Sequence, residues 1–162
     1  MGPVRSWPSP PAPNGSGATL ARSGLVINPY PLAMVLCDAI WMDPATGKRT
    51  LLGCFSAIGS RRFPTEHLTM AVYIALTGGR GVATVKLQFA DAAESRPPIL
   101  MAEAEVEFRD PRAVVEMGFP VRALEVPEPG EYAFQVCAED ELLVERRISV
   151  VRIAGGPTDE EA

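Results

Sequence analysis

One histidine and three cysteines carry most of the reactive side chains of this 162-residue sequence. The cysteines stand at Cys37, Cys54 and Cys137, and the histidine, His67, follows Pro64-Thr65-Glu66. A thiol nucleophile needs a base within hydrogen-bond reach. Cys37 or Cys54 with His67, oriented by Asp38, is therefore the candidate set for thiol chemistry, and the same four residues are the candidates for a soft-metal site. The Cys-x-x-Cys spacing of zinc sites is absent. So are a nucleophile elbow, an HExxH pair, a phosphate loop and a glycine fingerprint. Free cysteine is also a common small buried hydrophobe, and a histidine beside a strand start is commonly a surface residue. Asp38 lies in an apolar run from Leu36 to Met42. A carboxylate there is either perturbed in a cleft or held by backbone and arginine donors near an edge, opposite Gly53.

A second group is acidic. Asp43, Asp110 and Asp140, with Glu139 and Glu141, occupy turn segments that share one end of the molecule if successive strands alternate in direction. Oxygen ligands gathered in that way suit calcium. Lys48, Arg49, Arg80, Arg109 and Arg112 crowd the same end, so ordinary ion pairs are the competing outcome. No catalytic residue, metal or cofactor is assigned on these grounds.

The elements that position these residues have a period of two. In Leu100–Phe108, Ala102, Ala104, Val106 and Phe108 face one way while Glu103, Glu105 and Glu107 face the other, which is a half-buried strand. Leu68, Met70, Val72, Ile74 and Leu76 share a face in the same manner, as do Tyr132, Phe134 and Val136. Turn segments such as Asp43–Gly47, Thr77–Gly81 and Pro127–Gly130 divide the runs. Eight strands are expected, near 33–42, 49–58, 67–76, 82–90, 99–108, 113–119, 131–138 and 142–153, with a helical turn as the alternative for 113–117. Many short strands of this kind make an all-β, two-sheet antiparallel β-sandwich, immunoglobulin-like or C2-like. Closing the first hairpin with Asp43 opposite Lys48 places Trp41 opposite Thr50, Ala39 opposite Leu52 and Cys37 opposite Cys54, a cross-strand thiol pair. Leu36/Phe55 and Ile40/Leu51 then line its other face. A three-residue loop at 139–141 pairs Val136 with Val144 and Tyr132 with Ile148.

Seven prolines fall within residues 1–31, so that segment reads as a disordered tail. Residues 32–153 form the β-sandwich domain and 154–162 an acidic tail. With 47% hydrophobic residues, a net charge of −5 and a pI near 4.9, the composition is globular and argues against nucleic acid and anionic membrane surfaces. No apolar run approaches the roughly 20 residues of a membrane helix. The N-terminal residues lack the apolar core of a signal peptide, so a cytoplasmic setting with reduced thiols is expected.

Cys37-Asp38, Gly47-Lys48, Leu51-Leu52-Gly53-Cys54-Phe55, Phe63-Pro64 and Pro127-Glu128-Pro129-Gly130-Glu131-Tyr132-Ala133-Phe134 together resemble a family of small bacterial β-sandwich proteins that is a domain of unknown function. The resemblance covers about residues 34–153. It implies a fold and carries no activity, substrate or catalytic residue. Cys54 stands where that pattern leads one to expect an aliphatic residue, which makes any Cys37–Cys54 chemistry particular to this chain. The leading expectation is a non-catalytic interaction module that binds another protein or its own copy. The alternative is a metal- or thiol-dependent activity using Cys37, Cys54, His67 and Asp38.

Overall fold

A computed structural model describes residues 24–155. The N-terminal tail expected over 1–31 lies outside these residues as far as position 23, and the acidic tail lies outside them from position 156. Nine strands and no helix form among the described residues. They are β1 (Tyr30–Met42), β2 (Arg49–Cys54), β3 (Ala57–Ser60), β4 (Thr65–Thr77), β5 (Gly81–Asp91), β6 (Leu100–Phe108), β7 (Val115–Val126), β8 (Gly130–Ala138) and β9 (Glu141–Arg152). A four-stranded sheet has the order β2-β1-β4-β7, and a five-stranded sheet the order β3-β9-β8-β5-β6. The expected two-sheet sandwich is the architecture found.

Alternation builds the core between the sheets. Met34, Leu36, Met70, Val72, Ile74, Leu76, Phe119 and Val121 of one sheet face Val85, Leu87, Phe89, Tyr132, Phe134, Val136 and Ile148 of the other, all buried. The Phe89 ring lies 5.2 Å from Tyr132 and 4.6 Å from Phe134, centroid to centroid. Tyr132 is buried but keeps its hydroxyl satisfied by donating to the Glu128 carbonyl at 2.7 Å, as a buried polar tip requires.

Four features depart from the sequence reading, each for a local reason. The run 49–58 is two strands. Gly53 adopts φ +67°, a left-handed conformation that interrupts a strand, and the chain then crosses to the other sheet as β3. There β3 pairs with β9 in parallel, so the sandwich is antiparallel except along this short edge. The segment expected at 113–119 is neither short nor helical. It runs as β7 to Val126 through Pro120, which is tolerated because β7 is an edge strand whose outward N–H groups have no ladder to join. Leu68 does not share the core face with Met70: it is 70% exposed. The β4–β7 ladder skips Leu68 and Ala123, and Ala123 has φ +53°, so the alternation changes sides there. Finally, the chain joins the domain ahead of residue 32, since Ile27 pairs with Arg80 and Val26 packs on the core.

Both hairpin registers agree with expectation. Trp41 faces Thr50, Ala39 faces Leu52 and Cys37 faces Cys54, and Asp43 N–H closes the turn on the Lys48 carbonyl at 2.8 Å. Val136 pairs with Val144 and Tyr132 with Ile148. The second loop reaches that register by another route. Glu139 and Asp140 both have positive φ, the signature of a two-residue type I′ turn, and a shift at Val136/Cys137 supplies the extra residue.

Candidate functional site

The first hairpin positions the thiol and carboxylate candidates. β1 pairs with β4 from Tyr30 to Cys37 and then leaves it. Past Asp38 and Gly53 the hairpin turns over the outer face of the four-stranded sheet. Arg49 Nη1 reaches Glu116 of β7 at 2.7 Å, and Ile40 Cδ1 lies 2.7 Å from the position a Cβ on Gly118 would take. Ile40 therefore leaves the face of Leu36, which the alternation had the two residues share, and covers Gly118. Glu116 also accepts from the Tyr73 hydroxyl at 2.5 Å. Burial, followed by this carboxylate, pushes the Tyr73 phenol up to about 12, so the hydroxyl stays a donor.

The bend has a physical cause. A Cβ on Gly53 would lie 2.2 Å from Asp38 Oδ2, so only glycine admits the carboxylate at that spot. Asp38 is itself exposed, and its place opposite Gly53 fits a structural edge carboxylate. Cys37, next to this bend, is fully buried and donates its thiol to the Ala71 carbonyl at 3.6 Å. Burial first, then Cys54 and Asp38, push this thiol up to about 11. Cys54 is exposed and Cys137 intermediate, and all three cysteines are free.

His67 is half-buried, the third residue of β4. It lies within β4, paired with Leu124, because the skip at Leu68 turns it inward. Its ring tilts on Phe55 with centroids 5.7 Å apart, and Nε2 is buried without a partner. Among the described residues no three His, Cys, Asp or Glu side chains gather as a metal site. Cys37, Asp38, Cys54 and His67 thus supply a neighbouring thiol pair and a carboxylate, with the imidazole facing an aromatic ring.

The acidic candidates are likewise occupied locally. Asp43 accepts from Ala45 N–H and Thr46 Oγ1 inside its own turn. Asp110 accepts from Arg112 N–H and Nε, and Asp140 accepts from Lys86 at 2.6 Å. Of the ion pairs anticipated at this end Arg112–Asp110 forms, while Asp140 takes Lys86 and Arg49 takes Glu116 instead.

Two features had no clear sequence signal. The outward face of the turned hairpin presents Trp41 and Leu52, 44% and 45% exposed, with Ala39 and Thr50 as their cross-strand partners. Alternation alone left open which face would be covered. On the five-stranded sheet, Gln88, Ala90, Glu94, Arg96, Pro98 and Gln135 line an open depression of about 240 Å³. Its polar groups bond to one another and to near neighbours. Gln88 donates to Gln135, Gln135 to Glu94 and Glu145, and Arg96 to Asp91 and Glu128. A glutamine facing outward from a strand reads in sequence as solvated, so this network was invisible there.

A family model, described as a family of unknown function (DUF6941), matches residues 32–151. No curated protein matches the chain. Among solved structures the chain is similar to a β-glucosidase from Erythrobacter marinus at 21% identity and a TM-score of 0.40, over 60% of this chain and 14% of that one. It is similar to a β-D-glucoside glucohydrolase from Trichoderma reesei at 14% identity and a TM-score of 0.43, over 76% and 19%. A β-glucosidase from Listeria innocua in complex with gluconolactone gives 10% identity and a TM-score of 0.37, over 75% and 16%. The chain thus spans less than a fifth of the length of each.

Proposed function

The chain belongs to DUF6941, a family of unknown function, and on that footing we propose that its sandwich is a non-catalytic interaction module that binds another protein. The observation that carries this reading is the outward face of the β1–β2 hairpin. Trp41 and Leu52 are diagonal neighbours there, opposite Thr50 and Ala39 respectively, and each is more than two-fifths exposed. An exposed tryptophan on a rigid, apolar strand pair has the character of an interface anchor. The inner face of the same hairpin, through Arg49, Glu116 and Ile40, fixes the angle at which the anchor is presented.

The proposed setting is a bacterial cytoplasm, in which thiols stay reduced, and the proposed partner is neither nucleic acid nor membrane. The sandwich is read as immunoglobulin-like. That reading draws support from the parallel β3–β9 edge and from the Tyr132 hydroxyl, which bonds back to the backbone four residues upstream at the start of its strand.

The test uses Trp41→Ser and Leu52→Ser together, both on the exposed face. Wild-type and variant chains are compared by affinity capture with quantitative mass spectrometry and by sedimentation. The variant should keep the wild-type thermal midpoint and lose a partner that the wild type retains, or lose self-association. An unchanged partner set and an unchanged sedimentation coefficient would refute the reading.

A further inference from the structure

We infer that Cys37 and Cys54 form a two-thiol oxidation site at the bend of the first hairpin, where exposed Cys54 reacts first with a low-molecular-weight disulfide and buried Cys37 then closes an intramolecular bridge. The inference does not depend on whether the hairpin binds a partner.

Geometry is the first support. Phe55 N–H donates to the Leu36 carbonyl at 3.1 Å, which marks Leu36/Phe55 as a hydrogen-bonded pair of the antiparallel ladder. The ladder thus runs on past Cys37 and Cys54, which are direct antiparallel partners, and such partners have Cα atoms about 4.5–5.5 Å apart. Disulfides span Cα separations of about 4.4–6.8 Å. The two thiols therefore meet the distance requirement without any change of register. Cys137 does not compete, because it lies on β8 in the other sheet with Lys86 and Leu142 as its cross-strand partners.

Access sets the order of events. Cys54 is exposed, whereas Cys37 is fully covered and bonded to Ala71. Burial also keeps Cys37 protonated, so it is a poor first nucleophile. In the first step the Cys54 thiolate attacks one sulfur of the small disulfide RSSR. A Cys54–SR bond forms and RS⁻ leaves, taking up a proton from water. In the second step Cys37 gives up its proton and attacks Cys54 Sγ, forming the Cys37–Cys54 bond and expelling the second RS⁻. The two protein thiols are oxidised, and one RSSR is reduced to two RSH. The mixed disulfide holds its reactive sulfur beside Cys37, so closure is intramolecular and fast relative to a second encounter. The bridge ties edge strand β2 to β1 where Gly53 bends it.

The experiment incubates the full, reduced chain with glutathione disulfide and maps peptides without reduction. The wild type should yield the Cys37–Cys54 peptide, no retained adduct on Cys54, and slower hydrogen exchange of the β2 amides. Cys37→Ala, which leaves no unpaired hydroxyl in the buried site, should stop at a stable Cys54 adduct; circular dichroism checks that it is folded. Cys54→Ser should leave Cys37 unmodified. A wild type that does not react, that keeps glutathione on Cys54, or that bridges through Cys137 would overturn the proposal. So would modification of Cys37 in Cys54→Ser at the wild-type rate.

Discussion

Gly53 and Tyr132 show how single residues hold this sandwich in shape. Gly53 sits at φ +67° with the Asp38 carboxylate where its Cβ would be. Any other residue meets both backbone strain and a side-chain clash. Gly53→Ala should therefore cost roughly 1–2 kcal/mol by denaturant unfolding. Adding Asp38→Ala should relieve the clash but leave the strain, so the double variant should recover only part of the loss; full recovery would show that the backbone is not strained. Tyr132 loses only a hydroxyl in Tyr132→Phe, yet the Glu128 carbonyl then loses its donor. That change should cost about 1 kcal/mol, read from the shift in urea midpoint.

At the level of elements, the connection from β5 to β6 is organised by one carboxylate. Asp91 ends β5 and accepts from Ser95 N–H, Ser95 Oγ and Arg96 Nε. The two Ser95 bonds, then Arg96, hold its carboxyl below the usual aspartate range. A carboxyl whose folded value is depressed favours folding above its unfolded value, near pH 3.9, and that contribution is lost as pH falls through the folded value. Asp91→Asn keeps an acceptor but removes the charge. The stability gap between wild type and variant should be constant near neutral pH and close below about pH 4. Urea midpoints measured across that range decide it: a gap that persists unchanged in acid would mean that Asp91 acts by shape and not by charge.

Across the whole molecule, stability rests on the residues shared between the two sheets. Phe134 is fully buried and touches Phe89 in the middle of the five-stranded sheet. Phe134→Ala should cost roughly 3–5 kcal/mol, as large-to-small core changes do. Glu103 faces solvent from β6, and Glu103→Ala should stay within about 0.5 kcal/mol. Equal effects from the two substitutions, measured by thermal unfolding, would contradict the division of faces on which the sandwich depends.

Much of this arrangement was legible from local chemistry. Alternation of apolar and polar residues placed Phe134, Val136 and Leu87 inside, because a pleated strand puts every second side chain on one face wherever the chain runs straight. Loop length and the Asp43 turn determined the Cys37–Cys54 register, since a short closed turn leaves one pairing for the strands that follow it. Tertiary structure decided what depends on residues far apart in the chain. The sequence contains a left-handed Gly53 only as a glycine; its bend becomes visible when Arg49 and Ile40 reach β7. Leu68 reads as core and His67 as surface until the skip opposite Ala123 exchanges their faces. Pro120 reads as a strand breaker until β7 proves to be an edge. Each of these outcomes turns on which strand lies alongside, and a partner far along the chain leaves no trace in local periodicity.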